Sequence, residues 1–294
     1  MLNRMQTESE NRVTIVGILK ELEIESKQTK DGREYVTGKA LIKVDQEING
    51  KMTENEAPVR MFSKKLKSDK TPNAVYEGIM KMKDDYISLA AAERPSQASR
   101  VAITSGKIEE NNWIDKTTGM PRSSFQISSN FMRNAKDNDE ECAGFDLSGV
   151  VVKTRREVKN DEETGRLLVT LVTIGYKGKA EVIELVAESP AAAAHIESNW
   201  NEGDTVKITG AINMTYSVTE REISLGFGAP KKERKTESRK ELIILGGSEY
   251  GLDEDYSYDA DDIKVALDER KQRIDALSAP KAVAPANKAT GFGF

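Results

Sequence analysis

Cysteine and histidine are almost missing from this chain: Cys142 and His195 are single occurrences in 294 residues. One cysteine excludes an internal disulfide and fits a reducing compartment. With one of each, neither a cysteine-type zinc site nor a His-x-x-x-His pair can be assembled. There is no Gly-x-x-x-x-Gly-Lys-Ser/Thr phosphate loop, and Gly226-Phe227-Gly228 is too short and too late to be a nucleotide fingerprint. Long apolar runs are lacking too; none approaches the ~20 residues needed to cross a bilayer. No apolar stretch follows Met1–Gln6, so a signal peptide is not expected. These absences point to a cytoplasmic protein that performs no chemical turnover, is not an enzyme, and needs no cofactor or metal.

What is present is charge: 32% of residues are charged against 37% hydrophobic, and the net charge is −5. Residues 1–141 carry 23 Lys plus Arg and 23 Asp plus Glu, and residues 142–240 carry 15 and 15. Residues 241–294 carry 6 and 11, so the whole excess sits at the C-terminal end. A chain without net positive charge still binds polyanions if its cations line one face. The acidic end points to a partner, or to competition with nucleic acid for a basic groove. Its carboxylates between 253 and 262 lack the glycine and terminal glutamate of a calcium loop, which argues against a metal site there.

One pattern occurs twice: strand, glycine-containing turn, strand, strand, short helix, hairpin. The first copy runs Arg12–Leu22, Lys30-Asp31-Gly32, Tyr35–Val44, Pro58–Ser63, a helix within Pro72–Ala92, and Arg100–Phe131. The second runs Asp146–Val158, Glu163-Thr164-Gly165, Leu167–Ile174, Ala180–Ala187, Pro190–Trp200, and Asp204–Leu225. Five strands with a helix between the third and fourth is the strand order of an OB barrel, a fold often used for single strands of nucleic acid. The expected architecture is mostly β: a first OB-fold domain over residues 1–133, a linker over 134–142, a second OB-fold domain over 143–248, and a partly disordered acidic tail with a short helix over 249–294. Within the first domain, residues 46–57 read as a polar loop, Pro58 as the start of the third strand, and Thr71 as the cap of the helix. Residues 230–240 read as a basic connector, and Leu242–Leu245 as one further strand at an edge of the second barrel.

The first domain resembles bacterial and phage single-stranded DNA-binding proteins of the OB class. Asn11-Arg12-Val13-Thr14-Ile15-Val16-Gly17 is similar to that family's opening strand, Val59–Leu66 to its third strand, and Trp113–Gly119 to its fourth-to-fifth hairpin. In the second domain, Gly203-Asp204-Thr205-Val206 through Gly210 is similar to its fourth strand. The resemblance implies that Trp113 and Phe62 stack on bases. It also implies a replication or recombination role and protein partners for the tail, through Asp253, Glu254, Asp255 and the terminal Phe292 and Phe294. Two barrels in one chain, Glu109 and Glu110 where the family hairpin is basic, and a Gly-Phe-Gly-Phe tip are departures that look like a phage or mobile-element version.

Binding single strands needs cations for phosphates and flat apolar faces for bases. In the first domain the candidates are Tyr35, Phe62 and Trp113, with Lys39, Lys43, Arg60, Lys64, Lys65, Lys107 and Arg122. Lys39 and Lys43 are four apart on a strand and therefore share a face. The second domain offers Lys153, Arg155, Tyr176 and Lys177, while Trp200 reads as packing. The expected partner is single-stranded DNA, bound with little sequence preference. A β-barrel assembly protein of a phage and an RNA-binding OB protein are the alternatives.

Overall fold

The structure, a computed structural model, describes residues 7–223 and 231–278, without the side chains of residues 216–237 and 254. Its first half holds β1 (Asn11–Gln28), β2 (Glu34–Ile48), β3 (Lys51–Lys64), α1 (Ala74–Asp85), β4 (Arg100–Ile114), β5 (Pro121–Ser128) and β6 (Arg133–Asn134). The second holds β7 (Cys142–Lys159), β8 (Glu162–Ile174), β9 (Ala180–Ala187), α2 (Pro190–Asn199), β10 (Thr205–Ile223), β11 (Lys231–Gly247) and α3 (Ala260–Ser278). In the first half β1 pairs with β2, β2 with β3, β3 in parallel with β5, β5 with β4, and β4 back to β1. The second half closes the same ring through β7, β8, β9, β11 and β10. With α1 and α2 each between third and fourth strands, both halves are OB barrels.

Closure puts one face of every strand inside. The alternate residues Val13 and Ile15, Val36, Ala40 and Ile42, and Ala57, Val59 and Met61 are buried, as are Leu167, Val169 and Leu171 opposite Ile183 and Leu185. Where the first strand crosses its neighbour there is room for no side chain. A Cβ on Gly17 would lie 2.2 Å from the Lys43 carbonyl oxygen, and one on Gly149 would lie 2.4 Å from that of Val172. Helix α1 closes the first barrel with Tyr76, Ile79 and Met82 buried.

Several local expectations are corrected. Residues 46–57 are not a loop: β2 and β3 pair without a break from Tyr35–Lys64 to Ile48–Lys51, around a two-residue turn. Asn49 and Gly50 there have φ of 51° and 79°, the left-handed pair that turns a twisted hairpin. Strand β3 therefore runs through Pro58 rather than starting at it. The cap of α1 is Asn73, whose Oδ1 accepts from the Val75 amide at 3.1 Å; Thr71 instead bonds Asp69. In the second barrel the β7–β8 turn is at Asn160 and Asp161, both with positive φ, and Gly165 lies inside β8. Residues 231–240 belong to β11, which pairs with β10 from Ile208–Gly247 out to Ile223–Lys231. Leu242–Leu245 is thus the closing fifth strand of the barrel.

The two barrels are joined edge to edge. The start of β1 pairs with β4 of its own barrel and, from Asn11–Leu147 to Val16–Cys142, with β7. One apolar core runs through both. Gln46 and Asn55 reach across to the backbone of Ala143, Ile212 and Met214. Residues 136–139, in the expected linker, are tied to the first barrel by Arg100 and Arg133; hydrogen bonds from Arg133 and from the Lys136 amide hold the Asp139 carboxyl down to about 2.

The expected tail is folded as far as residue 278. Tyr258 is buried and its hydroxyl bonds Ser9 and the Thr7 carbonyl. Ile263 and Ala266 of α3 pack on Val172, Ile174 and Ala180 of the second barrel. Arg270 forks onto Glu110 of β4, its Nε 2.8 and 3.1 Å from the two carboxylate oxygens. The Glu110 side chain is 3% exposed and that of Arg270 19%. Burial alone would raise the Glu110 pKa; Arg270, together with hydrogen bonds from Asn112 and Ser123, more than offsets it and holds the carboxyl below its usual range.

Candidate nucleic-acid interface

The outer face of the first barrel carries an open cleft of about 1090 Å³ across β2, β3, β5 and β4. Its floor follows from strand alternation. Thr37, Lys39 and Leu41 of β2 stand opposite Phe62, Arg60 and Pro58 of β3, while Lys107 and Glu109 of β4 stand opposite Ser128 and Gln126 of β5. Tyr35 and Lys64 continue the first pair of rows, and Trp113 with Arg122 continues the second. This is the strand-2 and strand-3 face on which OB barrels take oligonucleotides.

Aromatic rings are available on it. Phe62 is 52% exposed, and Tyr35 leans against it with ring centroids 5.8 Å apart. Phe131, which the sequence reading did not single out, is 62% exposed and lines the cleft just beyond β5. Asn130 fixes this segment to β3 by accepting from the Phe62 amide at 2.9 Å. Trp113 is 41% exposed at the mouth of the β4–β5 turn. That turn is held by Asp115, which accepts from the amides of Thr117 and Thr118; these bonds keep its carboxyl below the usual range.

The cations divide by partner. Lys39, Arg60 and Lys64 have no carboxylate within ion-pair distance among the described residues. Lys43 lies past the cleft, 3.1 Å from Glu54, and Lys65 is bound to Glu34. Lys107 is 3.0 Å from Glu8 and Arg122 3.8 Å from Asp115. A further cation was missed by the sequence reading: Lys240 of β11 reaches into the cleft from the second barrel. Its ammonium lies 4.7 Å from the Phe125 ring centroid and 3.2 Å from Ser124 Oγ. Partial burial, aided by the charge of Arg60, lowers its pKa. Lining the cleft are five cations, Lys27, Lys39, Arg60, Lys107 and Lys240, against Glu23, Glu25 and Glu109, so the face is positive in a chain of net charge −5.

The remaining candidates lie elsewhere. Arg155 of β7 is 2.9 Å from Glu184, and Lys153 is on the same strand. Tyr176 is exposed in the β8–β9 turn with Lys177 5.5 Å from its ring centroid. Asp253, just before the short turn Glu254–Tyr256, and Asp255, within it, are exposed. The Glu254 side chain, Phe292 and Phe294 lie outside the described residues. Trp200 is buried, its indole N–H donating to the Ser248 carbonyl.

A family model described as YorF matches residues 9–279, both barrels and α3 together. The chain belongs to the YorF family. No curated protein matches it. Among solved structures it is similar to the single-stranded DNA-binding protein from Thermus aquaticus. A deletion mutant of that protein aligns at 12% identity and a TM-score of 0.49, over 84% of this chain and 97% of its own. The wild-type form aligns at 12% and 0.48, over 82% and 93%. No helix of the described residues is long and apolar enough to cross a membrane. For this YorF family member the barrel assignment rests on the strand pairings above.

Proposed function

We propose that this chain binds and coats single-stranded DNA with little sequence preference, without chemical turnover, as a replication or recombination accessory encoded by a phage or mobile element. The observation that carries the reading is the cleft, where Lys39, Arg60 and Lys240 have no carboxylate within ion-pair distance among the described residues and surround the exposed rings of Phe62 and Phe131. Rings stack on any base and cations meet any phosphate, so neither element selects sequence.

With Lys64, the cations of this face without an ion-pair partner among the described residues number four. Each phosphate neutralised on a single strand contributes roughly −0.7 to the slope of log affinity against log salt, so the slope should be about −3. Raising salt fourfold should then weaken binding about 50-fold. Phe62→Ala should cost roughly 1–3 kcal/mol, or about 5- to 150-fold in affinity for oligo-dT, without changing that slope. Fluorescence anisotropy of a labelled oligo-dT measures both. Flat affinity across salt, or an unaffected Phe62→Ala variant, would refute the reading; tighter binding of oligo-rU than oligo-dT would reassign the ligand to RNA.

A further inference from the structure

The two barrels can be placed in register through their own pairings. In the first, Lys39 pairs with Arg60, Arg60 with Ser128, and Ser128 with Lys107. In the second, Leu168 pairs with Val186, Val186 with Ile243, and Ile243 with Ala211. The register is anchored by the two crossing glycines: Gly17 touches Lys43, four residues after Lys39, and Gly149 touches Val172, four residues after Leu168. The four positions that floor the first cleft with three cations and a serine are therefore all apolar in the second barrel. Two residues after Arg60 stands Phe62, and two after Val186 stands Glu188.

That apolar face is already filled. Leu168, Val186, Ala211 and Ile243 form a separate buried cluster with Ile48, at the tip of the first barrel's β2–β3 hairpin. The side-chain Nδ2 of neighbouring Asn49 donates to the Glu188 carboxylate at 3.2 Å. Toward the β8–β9 turn, Val172, Ile174 and Ala180 of the same sheet lie under α3; between the two covered parts Thr170 and Glu184 border a smaller cleft whose charged lining is mostly carboxylate, Glu157, Glu184 and Glu241 among them. In the opposite direction, β11 of the second barrel hands Lys240 to the cleft of the first.

We infer that the chain holds its strand in one composite groove: the second barrel's own ligand face is a socket for the first barrel's hairpin, and that barrel serves the strand through Lys240. The inference rests on the proposed function, and it makes the chain a one-site binder despite its two barrels. The occluded length per chain should then fall within the ~4–16 nucleotides of a single OB fold.

The test uses the full chain and oligo-dT. Lys240→Ala, at an exposed position, should weaken binding several-fold and reduce the salt slope by about 0.7, with Lys240→Arg restoring both. Lys153→Ala and Arg155→Ala on β7 should leave affinity unchanged. Photo-cross-linked peptides should come from β2, β3, β4, β5 and the Lys240 segment. Cross-links to β8 or β9, or a loss in Arg155→Ala matching that in Lys240→Ala, would overturn the single groove while leaving strand binding in place. A chain that binds no oligonucleotide at all would instead refute the function on which the inference rests.

Discussion

Substituting Arg270 tests how α3 is held to the barrels. The Arg270 guanidinium is the only cation within ion-pair distance of the Glu110 carboxylate among the described residues, and that carboxylate is 3% exposed. Arg270→Ala would leave a buried charge whose remaining side-chain donors are the neutral Ser123, 3.0 Å away, and Asn112. Removing one partner of a buried pair costs about 3–5 kcal/mol. Arg270 is itself 19% exposed, so water can reach part of the vacated space and the lower end applies. About 3 kcal/mol corresponds to a fall in Tm of roughly 6–12 °C for a cooperative unit of this size. The cost has a sign in pH. In the wild type the Glu110 pKa is depressed, so its contribution is present above the unfolded value near 4.5 and is lost as pH falls through the folded value. In Arg270→Ala burial, the largest influence, is opposed only by Ser123 and Asn112, so that pKa rises and protonation relieves the defect. The deficit should therefore be largest near pH 7 and shrink toward about pH 4.5. Replacing both partners, Glu110→Leu with Arg270→Met, should fall within about 1 kcal/mol of wild type. Urea unfolding of the three proteins at the two pH values decides it. An Arg270→Ala protein within about 0.5 kcal/mol of wild type at neutral pH would refute the reasoning, and so would a deficit that does not depend on pH.

Two further substitutions test the barrels themselves. Ile48→Ala empties the socket on the second barrel and should cost about 2–5 kcal/mol in urea unfolding, although Ile48 lies at a hairpin tip where an exposed residue would cost almost nothing. Gly149→Ala puts a methyl against the backbone oxygen of Val172, which cannot rotate away; it should lower stability by at least the roughly 1–3 kcal/mol typical of overpacking, whereas Gly165→Ala, with open space but positive φ, should cost about 1 kcal/mol.

Both barrels were legible in the sequence wherever alternation had an apolar face, as in Val13–Leu19 or Leu167–Ile174. The β2–β3 hairpin beyond Val44 was not, because its residues serve the seam between barrels rather than a core. Asn55 is a fully buried polar residue whose Oδ1 accepts from the Met214 amide across the seam, and Ile48 packs on apolar residues of the other barrel. Asn49-Gly50 was the signal that could have found it. The first ten residues of β11 looked like a basic connector for a related reason: the strand continues past the barrel before Leu242. That reading hid Lys240. The division of cations into free and paired was invisible as well, since the partners of Lys43 and Lys65 lie 11 and 31 residues away in sequence and meet only through strand register.

The antiparallel seam between Asn11–Val16 and Cys142–Leu147 has a consequence for the order in which the molecule can be made. As the chain leaves the ribosome, β2 to β5 complete the first ring around β1, yet the outer edge of β1 still offers bare amides and carbonyls. Its mate begins 131 residues after Asn11, a wait on the order of 10 s at ordinary rates of synthesis. During that interval the segment Arg12–Val16 is a β-branched edge with no partner of its own, open to any extended chain nearby. Strand β7 is thus both the first strand of one barrel and the cap that ends the exposure of the other.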